Sequence, residues 1–260
     1  MADRQDEIIT TREGDVALIT LNAPDRLNAF SHDMLTGLQA ALAEAVETGA
    51  RVAVITGTGR GFCSGATVTG SQFGNADLGD LIDDHYNPVA QALTQSPIPI
   101  VTAVNGVAAG AGASLALAGD IILAARSAYF MLAFSRIGLV PDMGASWLVA
   151  RSVGRVKALE MALLGERLPA DEAQAAGLVT RVLEDEALME EALAVARKIA
   201  QLPPVALRMI RQQIRTALET GFDAMLELER DNQRRAGFTR DHAEGIAAFR
   251  EKRPPVFDGT

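Results

Sequence analysis

Apolar positions along this chain alternate between short β-branched runs and stretches with helical spacing. The β-branched runs predict buried strands at residues 15–21, 52–57, 99–105 and 120–125. Between the first two, four apolar residues share one face of a predicted helix: Leu35, Leu38, Leu42 and Ala45. Strands that alternate with helices in this way predict an α/β fold.

The pattern changes near residue 185, beyond which only helical spacing is found. Four helices are predicted near residues 185–201, 204–219, 221–236 and 240–252, with breaks at Pro203, Pro204 and Gly221. These helices cannot all bury their apolar faces on the preceding part. We therefore expect a core over residues 1–185 and a C-terminal helical oligomerisation region over residues 186–260. The polar, glycine-containing segment 67–87 predicts a loop.

Composition narrows the class of protein. The chain has 260 residues, 48% of them hydrophobic, which suits one large domain or a domain with an appendage. A single cysteine, Cys63, excludes a disulfide framework and is expected to be a small buried apolar residue. The net charge of −9 argues against nucleic-acid binding. Neither a signal peptide nor a membrane span is visible, so a cytoplasmic location is expected.

A turn of small residues follows the strand at residues 99–105. Gly110, Ala111 and Gly112 stand between this strand and a helix that is predicted to start near Ser114. A helix N-terminus carries unpaired backbone N–H groups and partial positive charge. Because the residues of this turn have small side chains or none, a substrate oxygen could reach the unpaired N–H groups. Backbone N–H groups arranged in this way form an oxyanion site.

A second strand and turn, at residues 52–68, have the same character. Gly57, Gly61 and Gly65 leave the backbone near Ala66 open to a ligand. The two turns lie about 45 residues apart, and each could supply one backbone N–H to the same oxygen. Either turn alone is weak evidence for a ligand site, because such a turn is more often a place of close packing between a helix and a strand.

These segments together resemble the crotonase superfamily, also called the enoyl-CoA hydratase/isomerase family, and its single-carboxylate enoyl-CoA isomerase-like members above all. The resemblance extends from residues 15–30 to residues 244–259 and includes segments 136–154 and 165–183. It implies the ClpP/crotonase-like fold, a spiral of ββα units with a C-terminal helical trimerisation segment. It also implies a homotrimer or homohexamer, an acyl-CoA thioester substrate, and no cofactor other than the coenzyme A that the substrate carries.

By the same resemblance, the backbone N–H groups of Ala66 and Ala111 hold the thioester oxygen and stabilise an enolate. Substrate contacts are expected beside them at Ser64, Gly65 and Gly110. Hydratases of this family carry two glutamates, at positions that Ser114 and Phe134 occupy here. Because neither residue can replace a glutamate in proton transfer, water addition by that route is not expected, and Phe134 is assigned to substrate binding.

Asp142, in the segment LVPDMG, stands where the isomerases of this family hold a single Asp or Glu. One carboxylate suffices for a 1,3-proton shift, because it can take a proton from one carbon and return it to another. Five apolar neighbours are expected to exclude water and raise its pKa: Met131, Leu132, Phe134, Met143 and Trp147. Alternatively, Asp142 caps a helix that runs to Arg151, and a capping Asp can also be catalytic.

Coenzyme A contacts are implied at both ends of the chain. Arg26 and Leu27 match a segment that lies along the pantetheine and phosphates, and Phe249 and Lys252 match positions that reach the nucleotide, often from a neighbouring subunit. For Arg26 and Lys252 a plain surface role remains open. Asp80, Asp83 and Asp84 form an acidic run within segment 67–87. They indicate a solvated surface, with a second acid at Asp83 or Asp84 as the alternative.

The sequence thus predicts an acyl-CoA enzyme that forms a thioester enolate, with double-bond isomerisation favoured. Hydration is the first alternative. A hydrolase or dehalogenase, in which Asp142 attacks as a nucleophile, and a non-catalytic acyl-CoA binder are the others.

Overall fold

Two sheets organise the molecule, whose computed structural model describes residues 6–67 and 77–260. In these ranges the larger sheet has the order β1 (Ile8–Glu13), β2 (Val16–Leu21), β3 (Val52–Gly57), β5 (Ile100–Val104), β7 (Ile121–Ala125) and β10 (Arg181–Leu183). The smaller sheet has the order β4 (Gly61–Cys63), β6 (Val107–Ala109), β8 (Tyr129–Met131) and β9 (Leu168–Pro169). Residues 68–76 of the predicted loop 67–87 lie outside the described ranges.

Successive pairs of strands are shared between the two sheets. β3, β5 and β7 pair in parallel in the larger sheet, and the strand that follows each of them, β4, β6 or β8, pairs in parallel in the smaller sheet. A helical segment separates one pair from the next. This arrangement is a spiral of ββα units, so the predicted α/β architecture is confirmed.

Ten α-helices are found in the described part. They are α1 (His32–Glu47), α2 (Leu78–Leu81), α3 (Asn87–Gln95), α4 (Ala111–Leu117), α5 (Ala145–Leu164), α6 (Ala170–Ala175), α7 (Leu188–Ala200), α8 (Pro204–Ala217), α9 (Phe222–Gly237) and α10 (Arg240–Glu251). A π-helical turn, Ile82–Tyr86, joins α2 to α3. Short 3₁₀ turns occupy Pro24–Arg26, Ala133–Ile137 and Asp185–Ala187.

The central strands are buried on both faces, which explains their continuous β-branched sequences. Two buried threonines of these strands donate hydrogen bonds from their hydroxyls to backbone carbonyls. Thr56 Oγ1 donates to Ala103 O at 2.8 Å, and Thr102 Oγ1 donates to Ala116 O of α4 at 2.8 Å. Cys63 is fully buried, and its burial raises the thiol pKa to about 12, in agreement with the expected apolar role.

Several predicted boundaries were wrong. Strand β1 was missed because all but one of its residues are exposed, so its sequence shows little apolar alternation. The helix expected near Ser114 begins at Ala111, with Gly110 as its N-cap. The segment from Leu78 onwards is helical although a loop was predicted, because its apolar residues cover a cavity instead of joining the main core.

The C-terminal helices differ in how they pack. Helix α7 buries Leu188, Ala192, Ala196 and Ala200 and contacts β3 and β5. Helices α8 to α10, with the turns between them, expose eight large apolar residues: Ile210, Ile214, Leu218, Phe222, Leu226, Phe238, Ile246 and Phe249. Among the helices that the structure describes, none is long and apolar enough to cross a membrane.

These exposed residues predict assembly through the C-terminal helices. We expect the protein to scatter light as a homotrimer or homohexamer, because single chains would leave this apolar surface in water. Truncation after Leu202 should give aggregation, since it removes the assembly surface and also the ion pair of Arg211 with Asp120, which joins α8 to the rest of the chain. A stable monomer at micromolar concentration would contradict the prediction.

Candidate active site

A cavity of about 720 Å³ lies where the two glycine-rich turns meet the segment before α5. Its lining comes from four stretches of chain: residues 64–66, 78–87, 110–111 and 133–144. Both predicted oxyanion donors, Ala66 and Ala111, border it, and so does Asp142. The fold therefore brings the predicted oxygen site and the predicted acid into one space.

The N–H of Ala111 is free for a ligand because of its place in the helix. Ala111 is the first residue of α4, so its N–H has no partner one turn earlier. Gly110 precedes it with φ 53° and ψ −129°, and its own N–H donates to Met131 O at 2.9 Å. This turn fixes the direction of the Ala111 N–H.

The N–H of Ala66 is free for a different reason. Phe30 N donates to Gly65 O at 2.7 Å, and Thr67 N donates to Phe30 O at 3.0 Å, which makes an isolated parallel bridge between Phe30 and Ala66. Since successive N–H groups of extended chain point to opposite sides, the Ala66 N–H faces away from Phe30. Across residues 6–67 and 77–260, neither Ala66 nor Ala111 donates its N–H to a protein acceptor.

The two turns touch backbone to backbone. A methyl group at Gly65, where φ is +97°, would lie 2.8 Å from Ala109 O and 3.6 Å from Ala111 N. A methyl group at Gly112 would lie 2.1 Å from the carbonyl oxygen of Cys63. Only glycine allows this approach, and the approach sets the two donor segments beside each other.

Asp142 presents a half-buried carboxylate to the cavity. Its Oδ1 is buried and has no hydrogen-bond partner in the described structure. Burial raises the pKa of this carboxyl group from 3.8 to about 6, and a contact with its own backbone N–H opposes this more weakly. Phe134 and Met143 line the cavity beside it, whereas Met131, Leu132 and Trp147, also expected as neighbours, do not. The Asp142 carboxyl group therefore changes its charge near pH 6, as is typical of groups at functional sites.

The capping role considered for Asp142 is wrong. Helix α5 begins at Ala145, and its N-cap is Gly144, with φ 80°. Asp142 contributes only its main-chain oxygen to this turn, as acceptor from Ala145 N at 3.0 Å. The helix also runs beyond Arg151 to Leu164, with a break at Gly154. The carboxylate is therefore left to the cavity.

The two positions at which the resemblance places the hydratase glutamates carry no charge here. Ser114 is buried in α4, and its hydroxyl donates to Asp142 O at 3.1 Å. Phe134 is buried in the 3₁₀ turn before α5 and lines the cavity. In place of two glutamates the protein thus has an aromatic ring in the cavity wall and a buried, already bonded hydroxyl behind that wall.

The residues assigned to coenzyme A lie away from this lining. The guanidinium of Arg26 is paired with Glu7 at 2.6 Å and donates to Ala29 O at 3.0 Å. Leu27 has φ 54° and lies in the turn beneath Ser64, whose N–H donates to the Leu27 carbonyl at 3.0 Å. Phe249 is 84% exposed on α10, and Lys252 ends that helix. Within one chain, the cavity gathers Ser64, Gly65 and Gly110 but none of these four.

One residue of the acidic run Asp80, Asp83 and Asp84 reaches the cavity. Asp83 lines it, although the side chain is largely exposed and its Oδ1 accepts from Asn87 Nδ2 at 2.7 Å. Asp80 and Asp84 are exposed and lie outside the lining. Within the described ranges, no group of three or more His, Cys, Asp or Glu side chains could hold a metal ion.

Tyr86 is a residue of the site that sequence reasoning missed. It ends the π-helical turn, is buried against the ring of Phe30, and lines the cavity. Burial and the nearby Asp142 charge raise its pKa to about 12, so it remains a neutral hydrogen-bond donor. The i, i+4 spacing of Leu78, Ile82 and Tyr86 could have revealed this helical wall. π-turns occur frequently at functional sites.

Comparisons with known proteins agree with this site. The sequence model of the enoyl-CoA hydratase/isomerase family matches residues 11–260. The chain is 44% identical over 257 residues to 1,2-epoxyphenylacetyl-CoA isomerase of Escherichia coli (strain K12), which covers 97% of this chain and 98% of that protein. It is 37% identical over 254 residues to 2,3-dehydroadipyl-CoA hydratase of the same organism, which covers 97% and 99%.

Solved structures give the same result. The crystal structure of enoyl-CoA hydratase from Bacillus anthracis matches with a TM-score of 0.93 and 31% identity, over 98% of this chain and 100% of that one. The chain belongs to the enoyl-CoA hydratase/isomerase family and has the crotonase fold. It is thus an enzyme of acyl-CoA chemistry, as the resemblance implied.

Proposed function

We propose that this protein is an acyl-CoA isomerase that shifts a double bond, with Asp142 as its proton carrier. The observation that carries the proposal is the half-buried carboxylate of Asp142 in the cavity, whose Oδ1 is buried and has no hydrogen-bond partner in the described structure. A 1,3-proton shift needs one such group. Addition of water by the usual route of this family needs two, and Ser114 and Phe134 stand in their places.

The proposed reaction starts from a 3-enoyl thioester. Its carbonyl oxygen accepts hydrogen bonds from the backbone N–H groups of Ala66 and Ala111, which makes the C2 proton more acidic. The Asp142 carboxylate takes that proton, and the electron pair of the C2–H bond moves into a dienolate. The protonated Asp142 carboxyl then delivers a proton at C4, which leaves the double bond between C2 and C3. In some turnovers this carboxyl exchanges its proton with solvent before delivery, so label from the solvent reaches C2 and C4. Phe134 and Met143 keep water from the dienolate.

Names of the relatives support this choice only in part. One similar protein is called an isomerase of an epoxyphenylacetyl thioester, and another is called a hydratase of a dehydroadipyl thioester. Hydration is therefore the alternative, with Asp83 as the second acid, since it is the other carboxylate in the described lining. Arg26, Leu27, Phe249 and Lys252 remain proposed contacts of coenzyme A, the last two across a subunit boundary.

Proton exchange in deuterated water tests the proposed function. The protein is incubated with 3-enoyl- and 2-enoyl-CoA, and deuterium at C2 and C4 is followed by NMR. We expect interconversion of the two thioesters with exchange at C2 and C4 and no rapid formation of 3-hydroxyacyl-CoA. Rapid hydration would favour the alternative. A trapped ester on Asp142 would indicate a hydrolase or dehalogenase, and binding without exchange would indicate a non-catalytic protein.

The pH dependence of turnover gives a further prediction. Because the carboxylate must be ionised to take a proton, kcat/KM should rise about tenfold per pH unit below pH 6 and level off above it. The midpoint follows from the Asp142 pKa of about 6 in the free enzyme. The profile is measured with a non-ionising acyl chain. A midpoint near 4, or activity that falls as the pH rises through 6, would contradict the assignment.

A further inference from the structure

We infer that Ser114 is a positioning residue, whose hydroxyl holds the Asp142 segment at a fixed distance from the oxyanion donor of Ala111. This inference rests on the proposed function of Asp142 and adds the group that places it.

The hydroxyl of Ser114 links two parts of the site. Ser114 is 1% exposed, and its Oγ lies 3.1 Å from Asp142 O. The carbonyl of Gly110, one turn earlier in the same helix, is the competing acceptor at 3.4 Å. A hydroxyl has one proton to donate, and the shorter contact is to Asp142. The bond therefore joins helix α4 to a segment 28 residues further along the chain.

The segment around Asp142 has an unfavourable backbone conformation that needs support from surrounding contacts. Met143 and Gly144, directly after Asp142, both have positive φ, at 48° and 80°. This region is unfavourable for a residue with a side chain such as Met143, so surrounding contacts must hold it there. The Asp142 carbonyl is the fixed point, since it accepts from both Ala145 N and Ser114 Oγ.

Position matters here because the reaction depends on two groups at once. Ala111 begins helix α4 and supplies one oxyanion donor, and Ser114 lies three residues later in the same short helix. The Ser114 hydrogen bond therefore ties the segment of the proton carrier directly to the helix that supplies the oxygen site. Misplacement by about 1 Å can lower a rate about 10²-fold, because the reacting atoms lose their alignment.

Ser114→Ala tests the inference in the full-length enzyme. We expect kcat to fall about ten- to hundredfold with KM within about threefold, because the carboxylate is misplaced while the thioester is still bound. The acidic midpoint of the pH profile should also move below its wild-type position, since a loosened segment admits water to Asp142. The other ionisable side chains in the described lining, Asp83, Tyr86 and Arg136, are unchanged in this variant.

Two further variants separate positioning from general stability. Thr102→Val removes another buried hydroxyl that bonds a carbonyl of α4, Ala116 O, away from Asp142. It should cost comparable thermal stability and leave kcat and the pH midpoint unchanged. Ser114→Thr keeps the hydroxyl and should restore most of kcat. If Ser114→Ala fails to fold, Ser114→Cys takes its place, because its thiol fills the space but donates weakly.

The outcomes are distinct. A folded Ser114→Ala or Ser114→Cys enzyme with wild-type kcat and pH profile would overturn the inference. Equal losses in Thr102→Val would do so too, because they would show a loosened helix and nothing specific to Asp142. If Asp142→Asn itself keeps full turnover, the proposed function fails instead, and that result is independent of any Ser114 variant.

Discussion

Asp142→Asn is expected to abolish interconversion of 3-enoyl- and 2-enoyl-CoA. An amide of the same shape cannot accept and return a proton, so kcat should fall about 10³- to 10⁴-fold. Affinity for the thioester should stay within severalfold, because the oxyanion donors and the apolar walls are unchanged. Turnover is measured by the change in the enoyl chromophore, and affinity by calorimetry with a saturated acyl-CoA.

Stability measurements control for unfolding of this variant. The Asp142 pKa is raised on folding from 3.8 to about 6, so the folded state disfavours the ionised form. Its cost to stability is absent below pH 4 and fully present above pH 6. Asp142→Asn should therefore melt at a higher temperature than wild type at pH 8, with this advantage lost at pH 4.

Variants of Asp83 and Asp84 serve as controls for the Asp142→Asn result. Asp84→Asn removes an exposed carboxylate outside the cavity lining and should leave turnover within about twofold. Asp83→Asn decides whether a second acid takes part, since Asp83 borders the cavity. Full activity of Asp142→Asn, or rapid hydration by wild-type enzyme, would contradict the isomerase proposal and leave the fold and family membership intact.

The second large effect is expected from Ala111→Pro. Proline lacks the N–H, so one oxyanion donor is lost and kcat should fall about 10²- to 10³-fold. The fold should survive, because position 111 is the first residue of α4, where proline is well tolerated. Steady-state kinetics on a 3-enoyl thioester measure the loss, and circular dichroism checks the fold.

Ala111→Gly is the matched control for that variant. It keeps the N–H and removes only a methyl group, so kcat should change by less than about fivefold. Near-wild-type turnover of a folded Ala111→Pro enzyme would rule out the assigned donor. A comparable loss in Ala111→Gly would show that the side chain matters and not the N–H.

Some of the fold could be predicted because buried strands and helix faces have apolar residues at regular positions in the sequence. Strands β3 and β5 and helix α1 are apolar where they are buried, so their patterns were sufficient. Strand β1 is mostly exposed and depends on its pairing with β2, which no local pattern records. The helical segment around Tyr86 faces a cavity, so its apolar residues are interrupted by the polar ones that face water.

For the site, residues in short motifs could be predicted, whereas contacts between segments distant in sequence could not. Ala66, Ala111 and Asp142 were predicted from short motifs, and the structure places all three around one cavity. The bond from Ser114 to Asp142 and the pairing of Arg26 with Glu7 join segments that are distant in sequence. Only the folded chain shows them, since nothing in either segment alone specifies its partner.

The contact of the two glycine turns has an evolutionary consequence. Since main-chain atoms hold the oxygen, mutation can exchange the side chains of Ala66 and Ala111 for other small ones without loss of a donor. The heavy constraint falls instead on Gly65 and Gly112, where any side chain would meet a carbonyl oxygen. Descendants of such a site can acquire a new reaction by changes at positions such as 114 and 134, and keep the thioester pocket as they diverge.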